Sequence, residues 1–211
     1  MSSNILYWQK KHTKYADQDW ITKPTIFATQ MVGYFPKKGH ILELGAGQGQ
    51  DTIFFAKKGY KVSSCDFSNF ALIFAKKRLP PEVKKNIEFK LLDLSNPLPF
   101  KDGGFDVVYS HLALHYFDET RTQKLFNEIY DILKDGGIFA TITNTLEDPE
   151  ISDLKRIDQD YYVNADGLKK RYFSVDSMKK FTNKFKTILL DANGQGHKEP
   201  IKTLIRFVGK K

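Results

Sequence analysis

The sequence contains one cysteine, Cys65, among 211 residues. One thiol cannot form an internal disulfide, so the sequence does not describe a small secreted scaffold held together by cross-links. It also lacks an apolar run long enough to span a bilayer or to form the core of a secretion signal. These absences predict a protein of the reducing cytoplasm without a membrane span.

No internal repeat, low-complexity tract or metal-binding cluster of His, Cys, Asp and Glu is visible, which predicts a single metal-independent domain. The net charge is +8, but the basic residues are scattered doublets such as Lys57-Lys58 and Lys76-Lys77. These doublets lie mostly at predicted helix ends, where they suit the helix dipole. The charge therefore leaves a nucleic-acid partner open without favouring one. The sequence is equally consistent with a monomer and a homodimer.

The most informative stretch is Ile41-Leu42-Glu43-Leu44-Gly45-Ala46-Gly47-Gln48-Gly49-Gln50-Asp51. It predicts a buried strand, a tight glycine turn and a helix whose N-terminus offers unpaired N–H donors to a ligand. A dinucleotide-binding turn would need glycine where Gln50 stands. Glu43 would repel a pyrophosphate but would favour a cationic ligand, such as one with an ammonium or sulfonium group. The sequence thus predicts a nucleotide-like ligand that is not a dinucleotide.

The pattern E-x-G-x-G-x-G resembles the first motif of class I S-adenosylmethionine-dependent methyltransferases. The resemblance implies S-adenosyl-L-methionine as cofactor and S-adenosyl-L-homocysteine as its product. It also implies a set of cofactor-binding residues in this turn: Glu43, Gly45, Ala46, Gly47, Gln48 and Gly49.

Two acidic positions extend this resemblance. Asp66 ends the second predicted strand, beside the glycine turn, where a carboxylate can accept both hydroxyls of a ribose. Ser68 or Asn69 can cap the helix that follows, which leaves Asp66 and its neighbour Phe67 for the cofactor. Asp93-Leu94, after the third strand, resembles the family's adenine-reading position. Cys65 is expected to be a buried filler rather than a nucleophile.

The phrases Leu98-Pro99-Phe100, Phe105-Asp106-Val107-Val108 and Leu133-Lys134-Asp135-Gly136-Gly137 also resemble the family, so the likeness extends over about residues 39–208. It implies an α/β, doubly wound, Rossmann-like sheet of seven strands, mostly parallel, with a C-terminal antiparallel hairpin and strand order 3-2-1-4-5-7-6. Residues 1–38 are expected to form an aromatic N-terminal cap and a leading helix, although the rings could instead simply cover the sheet edge. Residues 39–211 are expected to form the cofactor-binding domain, with the hairpin turn at Gly194-Gln195-Gly196. Its least regular part, 144–173, is expected to be a lid or substrate-selecting insertion, with a solvated loop as the alternative.

The acceptor is expected beside Ser110 to Phe117, at the end of the fourth strand, because ligands bind outside the carboxyl ends of such strands. Ser110 and His111 are predicted to contact the cofactor, and His111 to act as a base or to orient the acceptor. A purely structural role remains the alternative for either histidine of this loop. The predicted acceptor-binding side chains are Tyr15, Trp20, His115, Tyr161 and Tyr162.

A sulfonium carries its own leaving group, so in-line displacement needs chiefly alignment in a desolvated pocket. The resemblance therefore implies transfer of a methyl group to a small-molecule acceptor, similar to the broad group of ubiquinone-biosynthesis, tellurite-resistance and thiopurine-type enzymes. Two alternatives stay open. One is a methyltransferase acting on RNA or protein, and the other is a cofactor-binding module without turnover.

Overall fold

The computed structural model describes residues 3–16, 18–196 and 203–211. Its α-helices are α1 (Ser3–Tyr15), α2 (Ile26–Met31), α3 (Gln50–Lys57), α4 (Asn69–Lys77), α5 (Glu119–Ile132) and α6 (Val175–Phe181). Short 3-10 helices lie at Asp19–Thr22, Val32–Tyr34, Pro81–Asn86 and Pro149–Asp153. The strands are β1 (His40–Leu44), β2 (Lys61–Asp66), β3 (Ile87–Leu91), β4 (Phe105–His111), β5 (Leu133–Asn144), β6 (Lys155–Asp158), β7 (Tyr161–Val163), β8 (Lys169–Arg171), β9 (Lys186–Gln195) and β10 (Thr203–Lys210).

The main sheet has seven strands in the order β3-β2-β1-β4-β5-β10-β9. The first five are parallel, and β10 runs antiparallel to both β5 and β9. This confirms the predicted fold class and strand order, since β9 and β10 are the sixth and seventh strands of this sheet. No helix in the described ranges is both long and apolar enough to cross a membrane.

Both faces of the sheet are buried, which explains the nearly continuous apolar runs of the parallel strands. One face packs Leu42 and Leu44 of β1 with α5 and α6, and the other packs Ile41 with α2 and α3. The alternation follows from the two-residue period of a strand. The core is therefore two layers of side chains with the sheet between them.

The helix starts follow from side-chain capping. Ser68 accepts from the Ala71 N–H at the start of α4, Asp118 caps α5, and Ser174 and Ser177 form a capping box at α6. Capping by Ser68 agrees with the sequence prediction and leaves the carboxylate of Asp66 to other donors.

Three sequence predictions need correction. Residues 3–15 form a helix that was not predicted. The stretch 144–173, expected to be irregular, contains a 3-10 helix and a second antiparallel sheet of β6, β7 and β8. Gly194 was placed in the hairpin turn but pairs with Leu204 within the ladder, because β9 continues to Gln195.

The leading helix α2 is fixed to the sheet by a buried carboxylate. Asp51 is 2% exposed and accepts from the Thr25 N–H at 2.7 Å, from the Thr25 hydroxyl at 2.8 Å and from the Tyr109 hydroxyl at 2.7 Å. Hydrogen bonds to a charged group contribute more than neutral ones, about 1.5–3 kcal/mol each. Asp51 therefore connects α2, α3 and β4 at one point.

Gly45 lies where the turn after β1 touches the loop after β4. Its φ is 75°, and a Cβ added there would stand 2.1 Å from the Ala113 Cβ. The N–H groups of Gly45 and Ala46 both donate to the Cys65 carbonyl, at 2.8 and 2.9 Å, so the turn cannot easily move away. Glycine is required here for backbone angle and for close packing.

We expect Gly45→Ala to destabilise the protein by about 2–5 kcal/mol, the sum of left-handed backbone strain of about 1–2 kcal/mol and overpacking of about 1–3 kcal/mol. Gly59→Ala is the matched control: its φ is 93° and nothing lies within 4 Å of the added Cβ, so only strain applies. In an Ala113→Gly background, the Gly45→Ala change should cost about as much as Gly59→Ala. Urea unfolding measures all four variants. Equal costs for Gly45→Ala and Gly59→Ala in the wild-type background would contradict this packing argument.

Candidate functional site

A cavity of about 890 Å³ lies at the carboxyl ends of the parallel strands. Side chains that the sequence predicted from four separate stretches, Glu43, Asp66, Asp93 and His111, all line it. Ligand sites usually occupy about 300–1,000 Å³, so this cavity has room for two small molecules or one large one.

The three glycines of the turn have different structural roles. Gly45 and Gly47 line the cavity with φ of 75° and 54°, and the Gly47 N–H donates to Asp66 Oδ2 at 2.8 Å. Gly49 does not line it. It begins α3 with φ of 76°, and a Cβ there would lie 3.0 Å from Ala75 Cβ on α4. Two glycines therefore expose backbone to a ligand, and the third allows two helices to approach.

Glu43 is buried at the end of β1, 3% exposed, and accepts from the Thr52 hydroxyl at 2.5 Å. Burial raises its pKa well above the ordinary value, the nearby carboxylates of Asp51 and Asp66 raise it further, and the Thr52 hydrogen bond opposes the shift. A cation in the cavity would favour the charged form. The site is therefore electrostatically suited to a positively charged ligand.

Asp66 is 6% exposed, and each of its oxygens accepts a backbone N–H: Oδ2 from Gly47 and Oδ1 from Ser68, both at 2.8 Å. Burial raises its pKa to about 6, and the backbone N–H groups of Ser68, Gly47 and Phe67 limit the rise. A carboxylate oxygen can accept more than one hydrogen bond, so this fixed carboxylate can still receive the hydroxyls of a diol. Phe67 lines the cavity beside it.

Asp93 and Leu94 line the cavity after β3. Asp93 is exposed and accepts from the Ser95 N–H at 2.9 Å, whereas Leu94 is 8% exposed. The Arg121 Nε donates to the Leu94 carbonyl at 2.8 Å, which anchors this pair to α5. A carboxylate next to an apolar side chain can bind a planar base, because the carboxylate accepts hydrogen bonds from the edge of the base and the apolar side chain packs on its face.

His111 ends β4, half-buried, and its ring lies 6.2 Å from that of Phe27. His111 lines the cavity, whereas three predicted site residues do not. Besides Gly49, Ser110 is fully buried and donates to the Leu44 carbonyl at 2.8 Å, and Tyr162 packs against the Tyr172 ring at 5.5 Å. Alternation along β4 turns Ser110 away from the face on which its neighbour His111 lies.

The predicted acceptor residues Tyr15, Trp20, His115 and Tyr161 all line the cavity. Sequence reasoning missed a further set, most of it on the inner face of α1: Tyr7, Trp8, Lys11, His12 and Tyr116. Ring centroids follow each other from Trp20 to Tyr15 (5.2 Å), His12 (6.3 Å), Trp8 (5.8 Å) and Tyr116 (5.7 Å). Residues 7, 8, 11, 12 and 15 recur at intervals of three and four, which places them on one face of a helix. The sequence alone could therefore have predicted that these side chains lie together.

The C-terminal end of α1 is bonded to the glycine turn. Gln48 Nε2 donates to the His12 carbonyl at 2.6 Å, while Arg78 donates from Nη1 to Gln48 Oε1 at 2.5 Å and from Nη2 to the Ala16 carbonyl at 2.7 Å. Burial lowers the pKa of the His12 imidazole to about 4, so this ring over Gly47 is neutral near pH 7. Helix α1 is therefore held in place as part of the cavity wall.

Cys65 is not suited to nucleophilic attack. Burial raises the pKa of its thiol to about 12, so the thiolate is not available near pH 7. Within the described part of the chain, no three His, Cys, Asp or Glu side chains converge as ligands for a metal ion. The ionisable and aromatic side chains that line the cavity are carboxylates, imidazoles, lysines and aromatic rings.

Comparison with known sequences agrees with this geometry. Residues 41–137 match the family model described as "Methyltransferase domain". An uncharacterised methyltransferase of Synechocystis is 34% identical over 102 residues, which is 48% of this chain and 45% of that protein. Demethylmenaquinone methyltransferase of Lactococcus lactis is 34% identical over 128 residues, 59% of this chain and 49% of that protein. The chain thus spans about half the length of these curated relatives.

Solved structures extend the likeness to nearly the whole chain. The 1,6-didemethyltoxoflavin-N1-methyltransferase of Burkholderia thailandensis, solved with its 1,6-didemethyltoxoflavin and S-adenosylhomocysteine, superposes with a TM-score of 0.75 at 14% identity. The superposition covers 99% of this chain and 85% of that one. The superposition shows that the chain shares the fold of that methyltransferase, and residues 41–137 match the methyltransferase-domain model.

Proposed function

We propose that the protein is a methyltransferase that uses S-adenosylmethionine to methylate a small-molecule acceptor by in-line displacement, without a metal ion. One observation carries this proposal: the carboxylates of Glu43, Asp66 and Asp93 share a single cavity with His111 and the ring-lined face of α1. A cofactor end and an acceptor end within one enclosed space are what a direct transfer requires.

Each residue has a role that its surroundings support. Asp66 would accept the ribose hydroxyls, Asp93 the adenine amine, and Glu43 would stabilise the positive end of the cofactor. When bound, S-adenosylmethionine supplies an activated methyl group on a sulfonium. The chain's part is then alignment and exclusion of water, and His111, at the end of β4, would orient the acceptor or take its proton.

The RNA or protein alternative has only the net charge of +8 in its favour. The aromatic face of α1 and the β6-β7-β8 sheet both contribute side chains to the cavity wall, which suits a molecule small enough to be enclosed. Relatives with small-molecule names, such as demethylmenaquinone methyltransferase, add support for the small-molecule acceptor.

Titration calorimetry with S-adenosylmethionine tests the cofactor claim. We expect a Kd of about 1–100 μM, equal to roughly 5.5–8 kcal/mol, and at least about tenfold weaker binding by Asp66→Ala and by Asp93→Ala. Asp93 is exposed, so its loss should leave the fold intact. Asp106→Ala is the control, because Asp106 also accepts a backbone N–H, that of His40, but lies at the opposite edge of the sheet. NAD should not bind. Absence of both heat and thermal shift with S-adenosylmethionine would overturn the proposed function.

The raised pKa of Asp66 predicts two opposite pH dependences. Cofactor affinity should fall as the pH drops through about 6, because the protonated carboxyl loses acceptor capacity. Stability without ligand should show the reverse. The pKa of Asp66 is higher in the folded protein, about 6, than its ordinary value of 3.8. Asp66 therefore adds up to about 3 kcal/mol to the free energy of unfolding below pH 3.8, and this contribution is lost as the pH rises through about 6.

Asp66→Asn is the reference for both measurements, since its side chain does not titrate. Calorimetry between pH 5 and 8 gives the affinity, and urea unfolding of wild type minus Asp66→Asn gives the linkage. Parallel pH curves for wild type and Asp66→Asn in either measurement would contradict the assignment of a titrating Asp66 to the cofactor site.

A further inference from the structure

Two kinds of side chain meet on one part of the cavity wall, which is formed by α1, the loop after β4, the 3-10 helix Pro149–Asp153 and β7-β8. Rings of Tyr7 and Trp8 from α1 and of Tyr116 from the loop after β4 line it, with Tyr161 of β7. Trp8 meets Tyr116 edge to face, with centroids 5.7 Å apart. Such a ring wall suits two ligand classes: a flat aromatic molecule, or a cation held over ring faces.

The charges of the same wall separate these two classes. Lys11, Lys169 and Lys170 line the cavity here. Among the described residues that these elements contribute to the lining, the carboxylate is that of Glu150, which accepts from Lys170 Nζ and from the Tyr172 hydroxyl. The wall therefore carries net positive charge, which repels a cationic acceptor and attracts an anionic one.

Arg171, behind this wall, adds an independent observation. Its side chain donates from Nε to the carbonyl of Phe117 at 3.3 Å, and its guanidinium stacks on Tyr161 with 5.4 Å to the ring centroid; Phe117 and Tyr161 both line the cavity. Arg171 is 3% exposed, its Nη2 has no hydrogen-bond partner, and no described carboxylate lies within ion-pair distance. A buried cation without a counter-charge is costly, so the fold contains positive charge that an anion in the cavity would offset.

We propose that the acceptor is a flat aromatic molecule bearing a carboxylate, packed against the rings of Trp8 and Tyr116 with its carboxylate toward Lys11, Lys169 and the buried Arg171. This inference rests on the proposed methyl transfer, which assigns the carboxylates of Glu43, Asp66 and Asp93 to the cofactor. It assigns acceptor selection to α1 and β8, two elements outside the family's cofactor motifs.

A matched set of probes tests the charge and the shape together. The probes are 2-naphthoate, 2-naphthamide and 2-naphthylmethylammonium, which share one ring system and differ in charge. Each is titrated by calorimetry into the protein saturated with S-adenosylhomocysteine. We expect naphthoate to bind at least about tenfold more tightly than the ammonium probe, with the amide between them, and the gap to shrink at high salt.

Variants locate the effect. Lys11→Glu and Lys169→Glu should each weaken naphthoate binding by about threefold or more and narrow the gap between the charged probes. Lys186→Glu makes the same charge change on exposed β9, outside the cavity lining, and should alter neither. Trp8→Leu should weaken all three probes to a similar degree, because it removes a ring face without changing charge.

The outcomes separate the two proposals. If S-adenosylhomocysteine binds but the three probes bind equally, or the ammonium probe binds best, or none binds, the carboxylate-bearing acceptor is overturned and the cofactor site stands. If S-adenosylhomocysteine does not bind, the proposed function fails and this inference fails with it.

Discussion

The close approach of two backbone turns, Gly45 after β1 and Ala113 after β4, is the constraint on which the site depends. No side chain larger than hydrogen fits at Gly45, and both its N–H and that of Ala46 are held by the Cys65 carbonyl. Because the ends of β1, β2 and β4 are drawn together here, Glu43 and Asp66 open onto one cavity with His111. Close packing thus requires glycine in this turn, and because glycine has no side chain, the backbone of the turn is open to a ligand.

This packing also sets the electrostatics of the cavity. Burial raises the pKa of Glu43, and the nearby carboxylates of Asp51 and Asp66 raise it further. Lys11 and Lys169 line the same cavity, and Arg171 is buried behind its wall. On the proposed function, a cationic ligand and an anionic ligand would each reduce the desolvation cost that the fold bears for its own charges.

The sequence was sufficient to predict the sheet and to predict that Glu43, Asp66 and Asp93 lie together, because their signals are local. A strand followed by alternating glycines, an acidic residue at the end of β2 and Ser68 positioned to cap α4 each depend on a few consecutive residues. Where the prediction was wrong, the controlling contact was distant: Gly194 reads as a turn residue, but pairing with Leu204 keeps it in the strand. Ser110 reads as part of the site, yet the strand alternation that places His111 on one face turns Ser110 to the other.

The part of the cavity wall that we propose for the acceptor could be predicted only in part, for a physical reason. It is assembled from α1, the loop after β4 and β7-β8, which are far apart in the chain and meet only through tertiary packing. Helix α1 is secured there by Gln48 and Arg78, whose bonds to the carbonyls of His12 and Ala16 leave no pattern in the sequence of α1 itself. A cofactor common to many enzymes can be served by a locally encoded turn. An acceptor particular to one enzyme is selected by side chains that only the folded chain brings together, so motifs identify the first and geometry is needed for the second.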